Sequence, residues 1–307
     1  MPDSRAKKPE RLQSGDKIAV IAPAGPIDPL ALQKGVARLK KLGFEVLLPP
    51  TASRPFRYLA GTDAERLEEI HWAFSSGARA IIAARGGYGT ARIVDLLNFR
   101  QLLKKRTILI GCSDLTTLLL RFHKAGLPVC HGPMVSYFAR SEDPLSDSFF
   151  LSMLTSREPM GKISFSRVEV LREGIGEGRL VGGCLSLVSA SIGTSYEIQT
   201  RGKVLFLEDV NEPPYRIDRM LTHLKLAGKF QGVKGVLFGQ MVKCDPPEGS
   251  GYSLKEVIDS VLETAKVPVL YGLPFGHGDQ NITLPYGLKV RVESRNASVT
   301  FLESPVR

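Results

Sequence analysis

Apolar residues recur along this chain with two alternating periods. Lys17 to Ala22 is a short β-branched run that ends in Pro23-Ala24-Gly25-Pro26, a segment that must turn. Asp28 and Pro29 mark a helix start, and Leu32, Val36, Leu39 and Leu42 keep helical spacing up to Gly43. The alternation then repeats. A strand is predicted over 44–48, a helix from Asp63 through Phe74, and a strand over 78–84. After Arg85-Gly86-Gly87-Tyr88-Gly89 comes a helix through Leu97, then a strand over 107–110. After Gly111-Cys112-Ser113-Asp114 a helix runs to Lys124 and stops at Gly126, and 128–130 predicts a further short strand. Strands alternating with helices predict a parallel sheet covered on both faces. Ligands of such sheets sit beyond the carboxyl ends of the strands. Three polar or glycine-rich loops fall there: 23–26, 85–89 and 111–114.

The rhythm weakens from Ser141 to Glu177, where Asp143, Pro144, Asp147, Ser156, Arg157, Pro159 and Gly161 interrupt it. This stretch reads as a linker. It predicts a first domain over 1–140, a linker over 141–177 and a second domain over 178–307. The second half reads as a strand over 203–207, a helix over 215–226, a strand over 233–238 and a helix over 254–265. A closing hairpin is predicted over 289–293 and 298–302, around Ser294-Arg295-Asn296. No internal repeat or low-complexity tract is visible.

At 307 residues the chain is long enough for two domains, at roughly 100–200 residues each. The hydrophobic share is 43%, too high for a disordered chain. No apolar run approaches the ~18 residues of a membrane span, and Met1 to Gln13 lacks the apolar core of a secretory signal. Cys112, Cys130, Cys184 and Cys244 show no C-x-x-C pair, so neither a zinc knuckle nor a disulfide framework is indicated, and a reducing cytoplasm fits. The net charge of +10 raises nucleic acid, a membrane surface or an acidic small molecule as partners. The basic residues are scattered (Arg5, Lys7, Lys8, Lys40, Lys41, Lys104, Lys105, Arg106), and no RNA-binding, zinc-finger or basic-zipper signature accompanies them. The expectation is therefore no nucleic acid and no membrane, and the charge fits an anionic small substrate.

Four segments could carry chemistry. Ser113 stands between a predicted strand and a helix, where a nucleophile's oxygen is exposed and helix-start N–H groups can face an oxyanion. Leu115 replaces the second glycine of G-x-S-x-G, and on this segment alone Ser113 or Asp114 reads better as a helix cap. Arg85-Gly86-Gly87-Tyr88-Gly89 permits close backbone approach to a ligand but matches no phosphate-binding pattern, and a flexible turn explains it equally. Glu208-Asp209 ends an apolar strand, with Glu212 and Asp218 nearby; the pair could orient a histidine or hold Mg²⁺, or the cluster could simply favour the helix that follows Pro213-Pro214. His277, between Gly276 and Gly278, suits a general base on an accessible loop. His71, His123, His131 and His223 show no metal-ligand spacing and read as structural. Serine, glutamate, histidine and a glycine-rich backbone are the parts of nucleophilic acyl transfer.

As a set, these segments resemble the LD-carboxypeptidases, or muramoyltetrapeptide carboxypeptidases, a serine peptidase family with a Ser-Glu-His triad. The matching stretches are IAPAGP (21–26), RYLAGTDAERLEEIHWAF (57–74), RGGYG (85–89), IGCSDLTTLL (110–119) and HGP (131–133). In the second half they are GRLVGGCLSLV (178–188), LFLEDVNEPPYRIDRML (205–221) and GLPFGHGDQNITLPYG (272–287). The resemblance implies an α/β fold: an N-terminal parallel-sheet α/β domain, a β-rich C-terminal domain and an active site between them. It implies Ser113 as nucleophile, His277 as base and Glu208 as the acid of the triad. The N–H of Asp114 and of Gly86 or Gly87 would form the oxyanion hole. Arg85, beside that loop, would bind a substrate carboxylate or anchor the loop. It further implies cleavage before the terminal D-alanine of cytoplasmic murein tetrapeptides in cell-wall recycling, no metal or other cofactor, and a homodimer. Cys112 and Cys184 depart from the family pattern, which favours a larger apolar residue and Asn there. Two alternatives remain: a microcin C-type self-immunity peptidase, whose extra Trp has no counterpart unless Trp72 supplies it, and a non-catalytic two-domain ligand-binding protein.

Overall fold

A computed structural model describes residues 8–49 and 55–307; the N-terminal basic residues Arg5 and Lys7 lie outside the described residues. The chain divides into two compact units: 1–157 with 282–285 and 305–307, and 158–281 with 286–304.

In the first unit the strands are β1 (Lys17–Ile21), β2 (Glu45–Leu47), β3 (Ala80–Ala83), β4 (Ile108–Gly111) and β5 (Val129–His131). The helices are α1 (Pro29–Lys41), α2 (Asp63–Ser75), α3 (Thr90–Ile93), α4 (Phe99–Leu102), α5 (Thr116–Lys124), α6 (Val135–Phe138) and α7 (Pro144–Thr155). Local chemistry sets their ends. Asp28 caps α1 by accepting from the Ala31 N–H, with Pro29 in the first turn. Thr62 and Glu65 form a capping box on α2.

The second unit contributes β6 (Gly161–Ser164), β7 (Glu169–Arg172), β8 (Ile175–Cys184), α8 (Leu185–Ala190), β9 (Lys203–Val210) and α9 (Pro214–Leu226). It continues through β10 (Gly235–Val242), α10 (Leu254–Val261) and β11 (Val269–Gly276). The short β12 (Leu284–Pro285) joins the first unit's sheet, and β13 (Lys289–Glu293) and β14 (Ser298–Phe301) return to the second.

The first sheet runs in the order β12-β5-β4-β3-β1-β2, parallel except for β12 against β5. The chain leaves β1 to one side for β2 and to the other for β3. The strand order therefore reverses at β1 and β3, and the loops after those strands occupy the topological switch point. The second sheet runs β6-β14-β13-β8-β9-β10-β11-β7. Its four central strands, β8 to β11, are parallel, and antiparallel strands flank them.

The predicted linker is corrected. Residues 141–177 hold α7, β6, β7 and the start of β8, and the units divide between 157 and 158. Asp143 and Pro144 read as breakers because they start a helix rather than fill one: the Asp143 carboxylate caps α7 by accepting from the Ser146 N–H. Strand β6 alternates exposed and half-buried positions, so it leaves no apolar run in the sequence. The second predicted domain, 178–307, likewise gives up 282–285 and 305–307 to the first unit.

Both cores are aromatic and aliphatic. In the first, Phe150 meets Phe44 and Phe138 edge-on at 6.3 and 5.1 Å. In the second, Phe206 meets Phe275 and Tyr286 edge-on at 5.8 and 5.4 Å. The Tyr286 hydroxyl donates to the Gly182 carbonyl at 2.6 Å. Gly182 is pressed against the neighbouring strand: a Cβ there would lie 1.8 Å from the Phe206 carbonyl oxygen. Gly182→Ala must therefore push β8 from β9. We expect it to cost about 2–3 kcal/mol, measured as a lowered urea midpoint with unchanged slope; an unchanged midpoint would contradict this packing.

Candidate active site

Ser113 lies between β4 and α5, in a single 3-10 turn over Ser113–Leu115. Its φ is +61°, in the left-handed region. For a residue with a side chain that conformation costs roughly 1–2 kcal/mol, so surrounding contacts must hold it. Gly111 permits the sharp turn. A Cβ there would lie 2.9 Å from Leu115 Cγ, so Leu115 folds back over Gly111 where a second glycine was expected.

The glycine loop after β3 closes on this turn. A Cβ on Gly86 would sit 2.8 Å from Ser113 Oγ and 3.6 Å from the Asp114 N, so the missing side chain leaves a cradle beside both atoms. Gly87 has φ +117°. The Gly25 N–H donates to the Gly86 carbonyl at 3.1 Å. In a trans peptide the Gly87 N–H then points the opposite way, away from Gly25. Ser113, Asp114, Gly86 and Gly87 are thus brought together within the first unit. Arg85 is exposed and donates from Nη1 to the Pro26 carbonyl at 3.1 Å, which ties the loops after β1 and β3.

Asp114 is buried. Its Oδ2 accepts from the Thr90 N–H at 2.9 Å, and its carbonyl accepts from Thr90 Oγ1 at 2.6 Å. Burial raises the Asp114 carboxyl above the usual value, against the Thr90 and Gly89 hydrogen bonds and the Arg66 cation, which lower it.

In the second unit, Glu208 is fully buried on β9, and His277 follows β11. Strand β10 separates the two. Leu207 pairs with Phe238 and Asp209 with Met241, so Gly239 and Gln240 together oppose Glu208. This β-bulge re-aims the strand at the acid. Glu208 Oε2 and His277 Nδ1 are 2.6 Å apart. A Cβ on Gly276, whose φ is +111°, would lie 2.5 Å from that same Oε2. Only glycine lets the carboxylate reach the imidazole here. The Gly276 N–H is held by Asn281 Oδ1 at 3.1 Å. With Glu208 ionised the carboxylate only accepts, so Nδ1 would carry the proton and Nε2 the open lone pair.

Cys184 pairs in register with Glu208. Its Sγ lies 3.2 Å from Ser186 Oγ and 3.5 Å from Asp209 Oδ1. Burial, with the Glu208 and Asp209 carboxylates adding to it, raises the Cys184 thiol well above its usual value. Among the described residues no group of three or more His, Cys, Asp or Glu side chains is arranged to hold a metal ion, and no helix is long and apolar enough to cross a membrane.

Several site residues escaped the sequence. Arg66 and Glu69 lie on the buried face of α2 with Ile70, Ala73 and Phe74. Glu69 accepts from the Ala22 N–H at 2.7 Å, and Arg66 donates to the Pro23 carbonyl at 2.5 Å. Charged residues on a helix's apolar face were the available signal. Thr90 gives no such signal, and for Gly25 and Gly276 the sequence marks a loop but not the close backbone approach that each permits.

Residues 18–132 match the LD-carboxypeptidase N-terminal domain, and residues 177–292 match the LD-carboxypeptidase C-terminal domain. The chain belongs to the LD-carboxypeptidase family. It is similar to the probable murein peptide carboxypeptidase of Bacillus subtilis, with 38% identity over 292 residues, covering 94% of this chain and 92% of the relative. The murein tetrapeptide carboxypeptidase of Pseudomonas aeruginosa is 32% identical over 290 residues, covering 88% and 91%. The microcin C7 self-immunity protein MccF of Escherichia coli is 26% identical over 327 residues, covering 95% and 94%. A solved MccF structure shares the fold with a TM-score of 0.89, covering 98% of this chain and 99% of that one. The two-unit α/β architecture is that of this LD-carboxypeptidase fold, and the family is one of serine carboxypeptidases.

All four cysteines are buried thiols, none of them in a disulfide. Burial pushes the Cys130 thiol up to about 12 and the Cys244 thiol up to about 11. A thiol held protonated is a poor nucleophile. We expect a disulfide reagent to titrate none of the four in the native protein at about pH 8 and all of them in strong denaturant. Rapid native reaction at Cys112 or Cys184 would contradict the packing around the site.

Proposed function

We propose that this chain is a serine LD-carboxypeptidase that removes the terminal D-alanine from murein tetrapeptide. The Glu208–His277 hydrogen bond carries the chemical part of the reading, because it leaves His277 Nε2 as the acceptor. The two murein carboxypeptidase relatives support the substrate.

In this mechanism His277 takes the proton of Ser113 while Ser113 Oγ attacks the carbonyl before D-alanine. The Gly87 and Asp114 N–H groups receive the oxyanion; one such donor is typically worth about 3 kcal/mol. Glu208 holds the imidazole's tautomer and stabilises its cation. His277 then protonates the departing D-alanine amine, and an ester joins Ser113 to the tripeptide. Water, deprotonated by His277, attacks that ester and restores the serine. Arg85 spends one guanidinium nitrogen on Pro26, which favours the loop-anchoring role over substrate binding. A cytoplasmic, homodimeric enzyme of cell-wall recycling, without metal or other cofactor, completes the reading.

The second reading, a microcin-type peptidase, rests on the likeness to MccF. The single Trp72 lies within α2, inside an element of the sheet domain rather than on a substrate loop. That favours murein peptide.

Mass spectrometry of purified protein with murein tetrapeptide tests the proposal. Loss of one D-alanine is the expected result. Ser113→Ala should lower kcat by at least a thousandfold, in line with loss of a triad serine, with unchanged circular dichroism. Intact tetrapeptide, or normal turnover by folded Ser113→Ala, would refute it.

A further inference from the structure

The loops around Ser113 are gripped by two buried ionic side chains that the mechanism above does not use. Arg66 is fully buried in α2. Its guanidinium donates to the Pro23 carbonyl at 2.5 Å and the Gly89 carbonyl at 2.9 Å, and it pairs with Asp63. On the other side, Asp114 Oδ2 accepts from the Thr90 N–H at 2.9 Å. The Gly89 carbonyl and the Thr90 N–H are the two ends of one peptide group. That single peptide is therefore held by a cation at its oxygen and an anion at its nitrogen, both shielded from water. A peptide dipole held this way resists rotation more strongly than one bonded to neutral partners.

Gly89 fits only this arrangement. Its φ is +136°, and a Cβ there would lie 2.7 Å from Arg66 Nη1. A second tie reaches the nucleophile turn itself, where Thr90 Oγ1 donates to the Asp114 carbonyl. Arg66 also reaches the loop after β1 through Pro23, and Gly25 of that loop binds the Gly86 carbonyl. One side chain thus spans both loops at the switch point of the sheet.

We infer that Arg66 is a positioning residue: with Asp114 it clamps the Gly89–Thr90 peptide and so fixes the glycine loop against the Ser113 turn. The inference rests on the proposed serine carboxypeptidase reading. Its physical content is preorganisation. Ser113 holds a left-handed φ, and the cradle beside Gly86 is only as wide as a missing methyl group. A shift of a few tenths of an ångström there misaims the attacking oxygen and the oxyanion donors, while leaving most substrate contacts in place. Lysine keeps the charge but not the fork, so it cannot reach both carbonyls and Asp63 at once.

The test compares Arg66→Met, Arg66→Lys and Thr90→Val with the wild type on murein tetrapeptide. Thr90→Val keeps shape and removes only the tie to the Asp114 carbonyl. The clamp predicts that Arg66→Met lowers kcat at least tenfold with KM within about twofold, that Arg66→Lys restores part of the loss, and that Thr90→Val lowers kcat in the same direction. Unchanged kcat in folded Arg66→Met, or equal losses in kcat and substrate affinity, overturns it. If Arg66→Met fails to fold, Thr90→Val carries the test, and wild-type kcat in that variant overturns the clamp. Hydrogen exchange gives a substrate-free reading. The Thr90 amide should exchange at least tenfold faster in Arg66→Lys while β1 and β3 amides keep their rates, and uniform change or none overturns the proposal. A wild type that releases no D-alanine refutes the carboxypeptidase reading alone, because the exchange result still decides the clamp.

Discussion

Close backbone approach at glycine governs both the Ser113 turn in the first unit and the Glu208–His277 pair in the second. Ser113 holds a left-handed φ because Gly86 leaves room beside its Oγ and Gly111 leaves room under Leu115. Glu208 reaches His277 because Gly276 has no Cβ in its path. In each place a single methyl group would occupy the space where reacting or orienting atoms lie. In the proposed mechanism charged and hydroxyl side chains carry the chemistry, and within each unit glycines set how near those side chains come.

The sheets supply the framework that makes such approach reproducible. Five parallel strands in the first unit run to a switch point where the loops after β1 and β3 meet, and Ser113 opens the turn that follows the neighbouring strand β4. The bulge in β10 gives Glu208 two residues opposite it and leaves β11 to deliver His277 from the next strand. The buried Arg66 guanidinium and Asp114 carboxyl then hold the loops after β1 and β3 through backbone hydrogen bonds. A fully buried Arg66 and a buried Asp114 are costly to desolvate, and each is matched by backbone groups that would otherwise lack partners.

Much of this was legible in the sequence. The alternation from Lys17 to Lys124 gave the first sheet, since fully buried parallel strands leave continuous apolar runs. Ser113 and Glu208 stood out because each follows such a run, and His277 because it stands between Gly276 and Gly278; the strand before it, β11, was not legible. The 141–177 region misled because β6 and β7 are half-exposed edge strands, and because Asp143-Pro144 opens a helix rather than ending one. Strand β8 was hidden by its glycines, of which Gly182 is demanded by the Phe206 carbonyl. The Arg66–Asp114 clamp was illegible for a different reason. It is a relation between a helix, a loop and a turn that are distant in sequence, and it runs through backbone atoms whose identity no side chain announces.

In the proposed mechanism Ser113, with its glycine cradle, and His277, with its buried acid, act as one catalytic unit. Side chains that act as a unit are non-additive: removing the second costs little once the first is gone. The most direct measurement is therefore kcat on murein tetrapeptide for Ser113→Ala, His277→Ala and the double variant. A shared catalytic unit predicts a double variant no slower than the slower single variant. Losses that multiply across the two substitutions would contradict it.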